Sequence, residues 1–263
     1  LHKSNGGKEF WGKEKDKVID MYVNQGMRTG EIAKLYNCWN TTIANHLKEW
    51  GFDLNKERHN AIYKVDTHFF DKIDTEEKAY FLGLLLADGH ISTRNAIMLT
   101  MKDIDIIEKY KKAIKSNKEI KQDKYGNYYL NITSKTICDT LRRYGFHNRK
   151  SYVFDIDKIL KSIQESLLHH FVRGMFDGDG SIQIYKYDYL KKPQYHLGYT
   201  GLQNVVDFIK KYFDLHTKTV KETDITFTCV TSCKQDIERI FNLLYKDATV
   251  YIDRKYNTFT QIA

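Results

Sequence analysis

The 263-residue chain reads as an α+β protein, a pseudo-twofold pair of αββαββα repeats with antiparallel sheets, preceded by a small all-α domain. Three observations predict it. Two segments nearly repeat each other: Tyr80–Gly89 (YFLGLLLADG) and Phe171–Gly180 (FVRGMFDGDG). Each opens the same succession of helix-period and strand-period patterns, the mark of an internal duplication. The first fifty residues, by contrast, carry helical periodicity alone.

Within each repeated segment a small residue stands at i and i+4, Gly83 with Ala87 and Gly174 with Gly178. That spacing lines one helix face and lets two backbones approach closely. Each run ends on Asp-Gly, where glycine suits the turn past a helix C-terminus. Asp88 and Asp179 carry the wrong charge for that end, a cost of roughly 0.3–1 kcal/mol each. If the two helices pack together, both carboxylates arrive at one end, where a bound cation would relieve them.

In chain order, residues 13–25 predict a helix with Val18, Ile19 and Tyr22 on one face. Residues 29–51 then have helix-turn-helix spacing. Ile32, Ala33 and Tyr36 sit on its first helix, Asn37 at the left-handed turn, and Ile43 and Leu47 on its second. The second helix exposes Asn40, Thr41, Thr42, Asn45 and His46 to a DNA groove. Trp39 replaces the usual Ser or Thr cap, and Asn40 is read as the cap instead. Residues 53–74 read as a linker.

The first repeat, 75–152, has a helix at 75–88, strands at 90–94 and 96–102, and a helix at 103–116. A hairpin around Gly126-Asn127 and a helix at 135–144 complete it. After an inter-repeat linker at 153–164, the second repeat, 165–263, has a helix at 165–179 and strands at 181–187 and 194–200. A helix at 202–213, strands at 217–222 and 225–231, and a helix at 234–245 follow. Each repeat ends in a basic pair, Arg149-Lys150 and Arg254-Lys255.

Net charge is +8, with Lys and Arg spread along the chain, which suits a broad polyanion-binding surface. Nineteen Tyr and a single Pro also fit an AT-rich coding genome. Four scattered cysteines form no paired zinc hooks and predict a reduced, intracellular protein. The longest apolar run, Phe81–Ala87, is too short to cross a membrane.

These residues resemble the LAGLIDADG homing endonucleases in their single-chain, two-repeat form. The resemblance covers roughly residues 75–263, and its nine-residue motif falls on Phe81–Gly89 and Val172–Gly180. It implies that Asp88 and Asp179 are the catalytic, metal-holding acids at the DNA-facing tip of a central helix pair. Mg2+ is the implied cofactor, with Mn2+ as substitute. Lys150 and Lys255 fall where the family places a basic residue near the scissile phosphate, to polarise the attacking water or stabilise charge. Position six of the motif is Leu86 in one copy and Asp177 in the other, and Asp177 reads as a supporting carboxylate. His169 and His170 read as packing or capping residues.

The resemblance also implies saddle-shaped sheets lying in the major groove and reading sequence through outward strand residues. By alternation these are Ser92, Arg94, Thr100, Lys102, Tyr129, Asn131 and Thr133 in the first repeat. In the second they are Gln183, Tyr185, Tyr187, Tyr199, Thr226 and Thr228, and a slip of one residue reverses each assignment. The expected function is a sequence-specific, metal-dependent double-strand DNA endonuclease, acting as a monomer. Its expected place is the cytoplasm of a bacterial or phage-infected cell, or an organelle. Two other readings use the same fold: a non-cleaving transcription regulator, and a maturase that binds intron RNA. Regulators of this kind tend to lose the acids and carry the helix-turn-helix C-terminally, whereas here both acids are present and it is N-terminal.

Overall fold

The computed structural model describes residues 7–23, 25, 27–52, 54, 63–147, 154–187, 189 and 191–262. The chain divides into two compact units, Leu1–Val65 and Asp66–Ala263. Among the described residues no helix is long and apolar enough to cross a membrane.

The first unit holds α1 (Lys8–Val23), α2 (Thr29–Leu35) and α3 (Asn40–Glu49) around a core of Trp11, Val18, Tyr22, Ile32, Ala33, Cys38, Ile43 and Leu47. α1 begins five residues before the expected 13, because burial of Trp11 extends the apolar face towards the N-terminus. The Glu31 carboxylate accepts from Arg28 N at 2.7 Å and closes the start of α2. Asn37 takes the left-handed turn, φ 47°, as its position between α2 and α3 requires. Trp39 rather than Asn40 occupies the cap position of α3, in extended conformation and without a side-chain cap bond. Burial of Ile43 and Leu47, not capping, therefore holds this helix in place.

The second unit begins before the expected repeat boundary. Residues 66–74, read as linker, are packed: Phe69, Phe70 and Ile73 are buried, and Asp66 N donates to Ile114 O at 2.8 Å. The Tyr144 hydroxyl holds Phe70 O at 2.9 Å and Thr140 Oγ1 holds the Asp71 carboxylate at 2.9 Å. Interspersed charges at Asp71, Lys72 and Asp74 mask the apolar spacing of this stretch.

Then follow α4 (Glu76–Asp88), β1 (Gly89–Ile91), β2 (Ala96–Met101), α5 (Ile104–Ala113), β3 (Lys121–Gln122), β4 (Tyr128–Thr133) and α6 (Lys135–Arg143). The second repeat has α7 (Ile156–Leu160), α8 (Glu165–Asp179), β5 (Gly180–Tyr185), β6 (Gln194–Gly201), α9 (Gln203–Tyr212), β7 (Thr219–Lys221), β8 (Phe227–Thr231), α10 (Lys234–Tyr245) and α11 (Asp253–Phe259). The two antiparallel sheets have matching strand orders, β1-β2-β4-β3 and β5-β6-β8-β7. Two short elements were not legible in advance, α7 inside the expected linker and α11 at the end, while two-residue β3 is the first strand of the expected hairpin.

Each sheet buries one face, Ile97, Leu99, Leu130 and Ile132 in the first and Leu197, Tyr199, Cys229 and Thr231 in the second. α4 is buried continuously from Ala79 to Leu86, so it lies inside the core rather than on it. The Thr75 hydroxyl caps it, accepting from Lys78 N at 3.3 Å.

Candidate active site at the tips of the paired helices

The glycines place α4 against α8. A Cβ on Gly83 would lie 2.0 Å from Phe171 O, and one on Gly174 would lie 2.0 Å from Tyr80 O. A Cβ on Gly178 would meet Ala87 Cβ at 2.2 Å and Asp88 Oδ2 at 2.8 Å. Tyr80 and Leu84 thus face Gly174, while Ala87 and Asp88 face Gly178. The numbers rise together, so the helices run parallel and end side by side. Asp88 and Asp179, each the last residue of its helix, are both exposed at that end.

Beneath them lies Tyr199, 1% exposed. Its phenol is bonded to the Asp179 carboxylate, and its pKa is raised by burial first, then by the charges of Asp179 and Asp88. One buried hydroxyl senses both carboxylates. This corrects the expectation that Tyr199 faces outward. The β6–β8 register pairs it with buried Cys229 and sets its neighbour Thr200 opposite Thr228 on the free face. A cleft of about 260 Å3 opens beside Asp179, with Leu86, Ala87, Phe154, Tyr199 and Thr200 in its wall.

Lys255 lies within α11 and is 5% exposed. Its ammonium donates to Phe176 O at 2.8 Å, Asp177 O at 2.6 Å and Gly180 O, so it caps the last turn of α8. Burial, with Arg254 nearby, pulls its pKa down to about 8, against the attraction of Asp177, Asp88 and Asp179. This differs from the expected lysine reaching towards phosphate: its protons are spent on backbone carbonyls. Lys150, its expected counterpart, lies outside the described residues.

Asp177 is buried and accepts from Tyr80 OH at 2.7 Å, Tyr245 OH at 2.6 Å and Ile252 N at 2.9 Å. Burial pushes its carboxyl up, while Lys255 and the three donors work to hold it ionised. At the opposite end of the helix pair, buried Arg173 donates to Glu76, His170 Nδ1, Leu244 O and Val250 O. Sequence reasoning missed Tyr80, Tyr245 and Arg173 as supports. Arg173 four residues before Asp177, in an otherwise apolar helix, was the available signal.

The free face of the first sheet carries Thr100, Tyr129, Asn131 and Thr133; Thr100 pairs directly with Tyr129. Lys102 follows β2 and is exposed. Ser92 and Arg94 instead form the β1–β2 turn, where Ser92 Oγ accepts from Arg94 N and Ala96 N. On the second sheet Gln183, Tyr185 and Thr228 share the free face. Tyr187 follows β5 and stacks on Tyr185 with centroids 6.1 Å apart, and Thr226 directly precedes β8. In the first unit Asn40, Thr41 and Asn45 are exposed and Thr42 is half-exposed. His46 departs from its expected exposure: its ring packs 4.9 Å from Trp11 and stacks 5.5 Å from Trp50, with Nδ1 3.1 Å from Glu49.

A hard divalent cation fits the helix tips. Two exposed carboxylates stand at the negative ends of two parallel helix dipoles. No third His, Cys, Asp or Glu gathers with others into a ligand cluster among the described residues. A two-carboxylate donor set of this kind suits Mg2+, which keeps several waters and takes its remaining oxygens from phosphate.

No protein-family profile matches the chain. Over an alignment 140 positions long, the chain is 28% identical to glutamine--fructose-6-phosphate aminotransferase of Methanocaldococcus jannaschii, covering 46% of this chain and 12% of that enzyme's length. Among solved structures, the chain is similar to the LAGLIDADG homing endonuclease I-LtrWI bound to target DNA, with TM-score 0.52 and 13% identity over 71% of this chain and 89% of that one. It is similar to the LAGLIDADG meganuclease I-AabMI bound to uncleaved DNA, with TM-score 0.51 and 13% identity over 70% and 89%. I-SmaMI bound to an uncleaved DNA target in the presence of calcium ions matches with TM-score 0.50 and 13% identity over 72% and 90%. The second unit of this chain therefore has the fold of the LAGLIDADG homing endonucleases.

Proposed function

We propose that the chain is a sequence-specific homing endonuclease that makes double-strand breaks in DNA by metal-dependent phosphodiester hydrolysis. The observation that carries this reading is the delivery of Asp88 and Asp179 to one exposed end of a parallel helix pair. In this reading the two repeats are related by a pseudo-twofold axis along the α4–α8 contact. A single chain supplies both acids, so a monomer suffices. The first unit serves as a helix-turn-helix domain, α3 presenting Asn40, Thr41, Thr42 and Asn45 to a groove and adding affinity through linkage. The match to one segment of an aminotransferase carries nothing about amino transfer.

Asp88 and Asp179 would hold the divalent cation, which when bound would acidify water and screen charge on the phosphoryl oxygens. The carboxylates fix where that charge can sit. Tyr199 holds the Asp179 side chain from below. Lys255 neutralises the end of α8 and offsets the repulsion between the two acids, a positioning role rather than contact with phosphate. In each strand the water oxygen forms the new bond to phosphorus, and the P–O3′ bond breaks. O3′ takes up a proton, leaving 5′-phosphate and 3′-hydroxyl ends.

The test is a cleavage screen of randomised duplex DNA with Mg2+, followed by mapping of the ends. Paired breaks at a recurrent sequence are expected. No cutting with either Mg2+ or Mn2+ contradicts the reading.

A further inference from the structure

The free face of the second sheet has an unusual chemistry for a surface meant to meet a polyanion. β5 to β8 contain no Arg, Asp or Glu, and their one cation, Lys221, pairs with Phe227 and so falls on the other face by alternation. The cations lie outside the strands: Lys186, Lys191 and Lys192 are exposed in the segment joining β5 to β6. Across the middle of the face runs a β-branched strip. Val220 is opposite Thr228, and Thr228 is opposite Thr200. Val230 stands on the same side of β8, opposite Gly198. Val220 is 54% exposed and Val230 is 40% exposed. The hydroxyls of Thr200 and Thr228 bond each other at 2.6 Å, which leaves their methyls as contact surface. Beside the strip the Tyr185 hydroxyl donates to Gln183 Oε1, holding an exposed amide in one plane.

These groups match one side of the major-groove code. Guanine is read most often by Arg or Lys on O6 and N7, thymine by apolar contact with its C5-methyl, and adenine by a bidentate amide. The face offers four β-branched side chains and one oriented glutamine, and no guanidinium. Its other side is buried against the helices; Ser181, Gln194 and His196, the last edge-on to Tyr185, complete the free face without adding a guanidinium. Rim lysines supply phosphate contacts, which position without reading sequence.

We infer that the half-site covered by the second sheet is A·T-rich, with Val220, Thr228, Thr200 and Val230 reading thymine methyls and Gln183 reading an adenine. This rests on the endonuclease reading and names its substrate class.

The experiment selects bound duplexes from a randomised pool with the full chain, in Ca2+ to withhold cutting, and repeats the selection with Gln183→Ala. The Gln183→Ala selection identifies the half-site, since it relaxes preference at one base pair there, by roughly fivefold or more. That half is expected to be A·T-rich, and replacing its thymines by deoxyuridine is expected to weaken binding by about fivefold or more, less so for the Val220→Ala/Val230→Ala variant. A G·C-rich half-site, or equal binding of thymine and deoxyuridine duplexes, overturns the inference while leaving the nuclease reading intact. Recovery of DNA with no shared motif overturns it too. Recovery of no DNA at all overturns both.

Discussion

α4 and α8 carry the same motif and end on the same Asp-Gly, yet they are supported in different ways. At the tip of α8, Lys255 caps the carbonyls of the last turn, and Asp177 binds Tyr80, Tyr245 and the backbone of Ile252. At the matching place in α4 stands Leu86, in the wall of the cleft beside Asp179. The acids are duplicated, whereas the buried carboxylate of Asp177 has Leu86 in its place in the first copy. The comparison separates what the chemistry needs twice, a carboxylate at a helix end, from a buried carboxylate that only α8 carries two residues earlier. Tyr80 crosses from α4 to Asp177 on α8, so this polar network ties both repeats together.

The largest effect falls on what the two tips share. Asp88→Asn or Asp179→Asn should reduce double-strand cleavage by roughly a thousandfold, since several kcal/mol of charge stabilisation goes with the metal. Gel shift should find DNA binding within a few fold of the parent. If either variant cuts at the parental rate, the two tips are not a joint site.

Next comes the contact between the helices. Gly174→Ala puts a methyl 2.0 Å from Tyr80 O, where backbone cannot yield cheaply. We expect a loss of about 3 kcal/mol in urea unfolding. Gly12→Ala, in α1 with nothing within 4 Å, should instead gain up to about 1 kcal/mol. Equal responses would mean that the α4–α8 approach is not close.

The network around Asp177 has a smaller effect. Asp177→Asn keeps the shape but removes the charge that three donors serve, and should cost about 2 kcal/mol. If Asp177→Asn leaves the urea midpoint unchanged, the network is not holding α8.

The smallest effect is at the other end of the helices. Burial, with Arg173 and His169 beside it, pulls His170 from its ordinary 6.5 down to about 4, Glu76 opposing. The unfolded chain binds the extra proton between these values, so this contribution is complete above pH 6.5 and lost as pH falls towards 4. Urea midpoints should drop from pH 7 to pH 4.5, and His170→Gln should flatten part of that slope. An unchanged slope in the variant would assign the acid sensitivity elsewhere.

Much of this was legible in the sequence because it is locally encoded. Gly83, Gly174 and Gly178 forecast a close helix pair, Asp-Gly forecast its ends, and period-2 runs forecast the sheets. What escaped depends on partners distant along the chain. Tyr199 was assigned to the wrong face because alternation has no origin until a register fixes it. Lys255 was expected beside the scissile phosphate because its actual partners are backbone carbonyls, which leave no trace in residue identity. Residues 66–74 looked like linker because surface charges hid three buried side chains.

The central claim is that Asp88 and Asp179 hold one cation together. Fe2+ substituted at that site, with the chain on its selected duplex and ascorbate and peroxide added, cuts the backbone close to the bound metal. Cuts near both Gly89 and Gly180 are expected, and either Asp→Asn variant should erase both. If each variant erases only its own cut, or cuts fall near one tip alone, the two acids serve separate sites and the account fails.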